Sequence, residues 1–217
     1  HEFRTPLSVI RVSLHLLKRA ETPEKRENRA ARIEEQINRL TRLVDMLVKM
    51  SALDGDVQFK FRATNINKLI ELMTPVLDDI HKPQGITIVY DLKPDLPLVE
   101  LDQEQFMQVV HELFANASQH TSSAGTITLR TSSNDEYVLV EIEDTGSGIP
   151  AEALAHLFDR FYRLDHAHST PGFGLGLAIV KSIIEAHGGL IWADGNSAAV
   201  GGRFHFTVMR GENETDV

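Results

Sequence analysis

The chain opens with His1-Glu2-Phe3-Arg4-Thr5-Pro6-Leu7, an imidazole beside a carboxylate and one helical turn from a hydroxyl. A neutral imidazole, with a pKa near ~6.5, keeps a free ring nitrogen at neutral pH and can attack phosphorus. Glu2 is suited to bond the other ring nitrogen and to take its proton as positive charge develops. A lone histidine near a helix end is more often a plain surface residue, so this reading leans on chemistry elsewhere in the chain.

Three clusters supply it. Glu112-Leu113-Phe114-Ala115-Asn116 puts two oxygen-bearing side chains four residues apart on one helix face. Such a pair suits Mg²⁺ shared with phosphates, because Mg²⁺ takes few protein ligands and keeps its other positions for phosphate and water; alone, the pair also fits an ordinary solvated face. Asp144-Thr145-Gly146-Ser147-Gly148-Ile149-Pro150 follows a strand-like run. Its glycines let backbone approach a flat ligand, and a buried Asp144 can accept an exocyclic amine such as that of adenine. Gly172-Phe173-Gly174-Leu175-Gly176-Leu177 runs into an amphipathic helix whose first N–H groups form a phosphate cradle. Between these two lies Leu157-Phe158-Asp159-Arg160-Phe161-Tyr162-Arg163, then a polar stretch to Thr170; it reads as a lid, with Arg160 or Arg163 in reach of phosphate oxygens. His156, His166 and His168 lack partners at metal-ligand spacing. With His15, His81, His111, His120, His187 and His205 they are read as surface or packing residues.

The elements that must hold these groups fall into two regions. Phe3, Leu7, Ile10, Leu14 and Leu17 recur at helical spacing, as do Ala30, Ile33, Ile37, Leu40, Val44 and Leu47, with Glu21 to Lys25 as the loop between. This pattern predicts an antiparallel hairpin over 1–56, with Pro6 bending its first helix. His1 lies roughly 200° from the stripe and so faces solvent with Thr5. A hairpin cannot enclose such stripes alone, so a second copy is expected to complete a four-helix bundle, making a homodimer. From 57 to 217 short strands alternate with helices. Strands are predicted at Gln58–Ala63, Ile86–Leu92, Leu98–Leu101, Thr126–Thr131, Tyr137–Glu143, Leu190–Ala193 and Arg203–Met209. Helices are predicted at Ile66–His81, Gln103–Gln119, Ala151–Leu157 and Leu175–His187. The fold class is therefore α+β: a helical hairpin, then an α/β sandwich of one mixed sheet with helices on one face.

Composition sets limits. A net charge of -9 argues against a general nucleic-acid binder, so any phosphate must be met by local donors. There are no cysteines to form disulfides or thiolate metal sites, and no run approaches the roughly 20 apolar residues of a membrane span. The opening residue is not Met, and the segment reads as the middle of a helix, which leaves room upstream for a sensor, a linker or a membrane anchor.

The order and spacing of these clusters make the chain resemble the catalytic core of sensor histidine kinases of two-component signalling. His1 to Leu7 looks like the H box, Glu112 to Thr121 the N box, Asp144 to Ile149 the G1 box, Leu157 to Arg163 the F box and Gly172 to Leu177 the G2 box. The resemblance implies a Bergerat-type ATP-binding domain, with ATP and Mg²⁺ as cofactors and a response regulator receiver domain as partner. It also implies a cytoplasmic setting, as the cytoplasmic portion of a membrane-bound sensor. By the same likeness, His1 is the phosphoacceptor, Glu2 its base and Thr5 a residue that positions water to dephosphorylate the regulator. Asn116, with Glu112, is the Mg²⁺ ligand and Asp144 the adenine anchor. Gly146, Gly148, Ile149, Gly172, Gly174, Leu175, Gly176 and Leu177 line the nucleotide, with Arg163 on phosphate. Two features depart from the commonest family pattern. Glu112 stands where Asn is common, as in related ATPases whose Glu activates water, so ATP hydrolysis is a second reading. Gln119 and His120 replace a frequent Lys and Tyr, leaving the positive contact to Arg163, Arg160 or Lys181. A nucleotide-gated scaffold without catalysis is a third reading.

Overall fold

A computed structural model describes residues 2–53, 55, 58–81, 84–164, 173–195 and 201–210. The chain divides into two compact units, His1–Gly55 and Asp56–Val217.

The first unit is a hairpin of α1 (Arg4–Leu17) and α2 (Pro23–Leu53). Thr22 accepts the N–H of Lys25 at 3.3 Å, and Pro23 takes the first helical position, where its missing N–H costs nothing. The loop therefore runs from Lys18 to Thr22, three residues earlier than the expected Glu21 to Lys25. Pro6 lies in the first described turn of α1. The two helices pack through Pro6, Ser13, Leu43 and Met50, all buried, with Ile10, Leu17, Ile33, Leu40 and Leu47 half-buried around them. A second apolar surface stays uncovered in the single chain: Phe3, Leu7, Leu14, Ile37, Val44 and Val48 are each at least 40% exposed.

The second unit starts with β1 (Arg62–Thr64), α3 (Ile66–His81), β2 (Thr87–Leu92), β3 (Val99–Leu101) and α4 (Gln103–His120). It continues with β4 (Thr126–Ser133), β5 (Tyr137–Asp144), α5 (Ala151–Leu154), α6 (Gly176–Ala186), β6 (Ile191–Gly195) and β7 (Gly202–Met209). Among the described residues five strands form one mixed sheet in the order β2-β4-β5-β7-β6, in which β2 and β4 pair parallel and the other neighbours antiparallel; β1 and β3 pair antiparallel apart from it. Alternation sorts the faces. Ile127, Leu129, Val138, Val140, Ile142, Phe204, Phe206 and Val208 point inward and are buried beneath helices that bring Ile70, Leu77, Phe106, Val110, Leu113, Ile179 and Ile183 to the core. The other face carries charge. Arg130 bonds Glu141 and Glu143 at 2.8 and 2.6 Å, Arg203 bonds Glu143, and Trp192 stacks on His205, which bonds Asp194 at 2.8 Å. α3 runs through Pro75, and the hydroxyl of Thr74 donates to the carbonyl of Glu71 that Pro75 leaves without its helical donor.

Candidate functional site

α4 is the element on which the site is built. Its cap is Asp102, whose Oδ1 accepts the N–H groups of Glu104 and Gln105 at 3.0 and 3.2 Å, which fixes where the helix starts and hence its phase. Phe106, Val109, Val110, Leu113, Phe114 and Ala117 face the core, which leaves Glu112, Asn116 and His120 at successive turns on another face, all half-buried. That face meets both glycine segments. A Cβ on Gly176 would stand 2.7 Å from Oε2 of Glu112, so the carboxylate lies against the first residue of α6. A Cβ on Gly146 would collide with the carbonyl of His120. Asn116 is one turn from each contact, about 6 Å along the axis either way. The sequence-predicted clusters therefore converge: Asn116 stands between the turn after β5 and the start of α6.

Asp144 ends β5 and is only 3% exposed. Its Oδ1 accepts the N–H of Gly146 at 2.7 Å. Burial raises its pKa, only partly countered by N–H bonds from Gly146 and Gly202. A buried, partly satisfied carboxyl reached by glycine backbone is an acceptor for a flat donor such as an amine on a ring. Thr145 ties this turn down, its N–H donating to Thr126 and its hydroxyl accepting the N–H of Thr126 at 2.8 Å. Ile149 beside it is half-buried.

The segment 157–163 is sewn to the second glycine loop. The N–H of Phe161 donates to the carbonyl of Gly174 at 2.8 Å, and Phe158 sets its ring edge-on to inward-facing Phe204. Leu175 is fully buried; Leu177 is half-buried; Arg163 is half-buried and Arg160 exposed. Lys181 lies 3.8 Å from Glu185 on its own helix, as a surface pair would. In the first unit Glu2 is half-buried and Thr5 exposed. His1, Gly172, His166 and His168 lie outside the described residues.

Sequence reasoning passed over Gly201 and Gly202, which stand at the head of β7 under Asp144. Gly201 has φ +98° and its missing Cβ leaves room for the carbonyl of Asp144, while a Cβ on Gly202 would stand 3.1 Å from Oδ2 of Asp144 and 3.2 Å from Ile149. The adjacent glycines before Arg203 were the available signal.

The donor set suits Mg²⁺ with a nucleotide: one carboxylate and one amide oxygen on α4, and glycine backbone on either side where side chains would fill the space. Among the described residues no cluster of three His, Cys, Asp or Glu forms a metal centre of its own. No helix among them is long and apolar enough to cross a membrane.

Comparison with known proteins agrees with this geometry. Residues 101–212 match the family described as histidine kinase-, DNA gyrase B-, and HSP90-like ATPase, and residues 1–56 match the His Kinase A (phospho-acceptor) domain. The chain is 35% identical to the sensor histidine kinase WalK of Bacillus subtilis, over all of this chain and 36% of that protein. It is 32% identical to the signal transduction histidine-protein kinase BaeS of Escherichia coli, over 89% of this chain and 42% of that one. The structure of full-length ShkA in complex with AMPPNP superposes with a TM-score of 0.75 at 28% identity, covering 97% of this chain and 44% of that chain. The histidine kinase ThkA in complex with the response regulator protein TrrA shares the fold at a TM-score of 0.81 and 24% identity, over 99% of this chain and 60% of that one. The chain thus spans between about a third and just over half of the curated relatives it matches.

Proposed function

This chain belongs to the sensor histidine kinases of two-component signalling, and from that premise we propose that it is the catalytic core of one: an ATP-dependent protein-histidine kinase that phosphorylates His1 and relays the phosphoryl group to an Asp of a response regulator receiver domain. The observation that carries this reading is the α4 face, with Glu112 against Gly176, the His120 carbonyl at Gly146, and Asn116 between them.

In this reading Asp144 accepts the adenine amine, Gly146, Gly148 and Ile149 border the base, and Gly172, Gly174, Leu175, Gly176 and Leu177 bring N–H groups and backbone to the phosphates, with Arg163 as the cationic contact. Asn116 and Glu112 would hold Mg²⁺, which when bound neutralises charge on the phosphates. At the acceptor, a bond forms between a ring nitrogen of His1 and the γ-phosphorus as the bond from phosphorus to the ADP oxygen breaks; Glu2 takes the imidazole proton. Thr5, exposed on α1, orients water for the reverse task of dephosphorylating the regulator. The uncovered surface of Leu7, Leu14, Ile37, Val44 and Val48 supports a homodimer, joined as a four-helix bundle. ATP as phosphodonor assigns this core to the cytoplasm.

The test is incubation with γ-labelled ATP, wild type beside His1→Gln, with and without a receiver domain. Acid-labile label in the wild type, absent from His1→Gln and chased onto the receiver, is expected; label retained in His1→Gln refutes the assignment. The contact of Glu112 with Gly176 also favours a second reading, hydrolysis by water that Glu112 activates. That activity would survive His1→Gln and collapse in Glu112→Gln.

A further inference from the structure

α4 and α6 meet at both ends of α6, and only one of these meetings is at the nucleotide site. At the other, His187 follows the last residue of α6 and uses both ring nitrogens. Nδ1 lies 2.7 Å from the carbonyl of Ile183, and Nε2 lies 3.0 Å from the N–H of Asp102. A carbonyl only accepts and an amide N–H only donates, so the ring is neutral with its proton on Nδ1. Asp102 caps α4 with Oδ1 and accepts the N–H of Lys60 with Oδ2 at 2.8 Å. Phe59 and Phe61 close over this contact, edge-on to the imidazole at 5.2 and 5.0 Å. Residues 58–61 are the described segment that leads into β1 of the second unit, and they belong to no strand.

Helical rise places Asp102 about 15 Å from Glu112 and His187 about 16 Å from Gly176. Since Asp102 touches His187 and Glu112 touches Gly176, the helices are an antiparallel pair with a clasp at one end and the phosphate-facing contact at the other. Helices packed this way move as rigid rods, so a change at the clasp is felt at the far end.

We propose that His187 is a positioning residue for the nucleotide site: with Asp102, and with Phe59 and Phe61 laid over it, it sets the separation of α4 from α6 and so the distance of Glu112 and Asn116 from Gly176. The segment entering β1 thereby has a hold on nucleotide affinity. The proposal rests on the Gly176 end being where phosphates bind.

Calorimetric titration of the full chain with a non-hydrolysable ATP analogue tests it. His187→Leu removes the acceptor for Asp102, whereas in His187→Gln a side-chain oxygen reaches the place of Nε2. The analogue is expected to bind His187→Leu about tenfold more weakly than wild type, equivalent to about 1.4 kcal/mol, and His187→Gln within about twofold of wild type. Phe61→Ala should weaken binding in the same direction, and carries the test if His187→Leu does not fold. With ATP as substrate, the change should appear in KM with kcat retained, which general loss of folded protein would not produce. Wild-type affinity in both His187→Leu and Phe61→Ala, or His187→Gln binding no better than His187→Leu, overturns the proposal alone. A wild type that binds no adenine nucleotide overturns the site assignment and the proposal with it.

Discussion

At the scale of single residues, Asp144 ties binding to pH. Burial holds its carboxyl above the usual range, so the proton it must lose to accept an amine leaves late. Nucleotide affinity should therefore fall as the solution is taken from neutral to mildly acidic, and calorimetry at several pH values in Asp144→Asn should show weaker binding with that slope removed. Thr5 is exposed, and its proposed task is the reverse reaction, so Thr5→Ala should keep labelling of His1 while slowing dephosphorylation of a phosphorylated receiver. The sequence singled out Asp144 and the glycines around it because a carboxylate and glycines in that order have few other uses, and the structure brings them together. Gly201 and Gly202 were passed over although they stand together before Arg203, and the contact of His187 with Asp102 joins α6 to α4 in a way that no local pattern encodes.

At the scale of elements, the sequence marked every strand and helix of the second unit, and the range of α3 coincides with its expected one. The chief departure is β1, which starts at Arg62 because the N–H of Lys60 goes to the Asp102 carboxylate rather than to a strand. Asp102 would be raised by burial, but N–H bonds from Lys60, Gln105 and Glu104 outweigh this and hold it below the usual carboxylate range. His187 is lowered, chiefly by burial. Its neutral form stabilises the fold above the ordinary histidine range, and that contribution drains away as pH falls through it; Asp102 gives up its own at lower pH still. Denaturant unfolding at a series of pH values should lose stability in two stages, and His187→Gln should flatten the first. Asp102→Ala should cost about 2 kcal/mol at neutral pH through loss of the cap.

For the whole molecule, the periodicity foretold a hairpin with more apolar surface than one copy buries, and the uncovered Ile37 and Val44 of the expected stripe, with Val48 beside them, agree with it on α2. Val48→Glu puts a charge on that surface and should shift the chain from dimer to monomer in sedimentation at micromolar concentration. The parallel pairing of β2 with β4 has a consequence in time. Those strands can meet only after β3 and α4 have been threaded across as their crossover, a closure that is slower than forming a hairpin. The antiparallel β6–β7 hairpin, which carries the only tryptophan, needs no such threading. On refolding, Trp192 fluorescence should reach its native value before the chain regains the capacity to capture a fluorescent nucleotide, so a newly made chain acquires one edge of its sheet ahead of its hold on ATP.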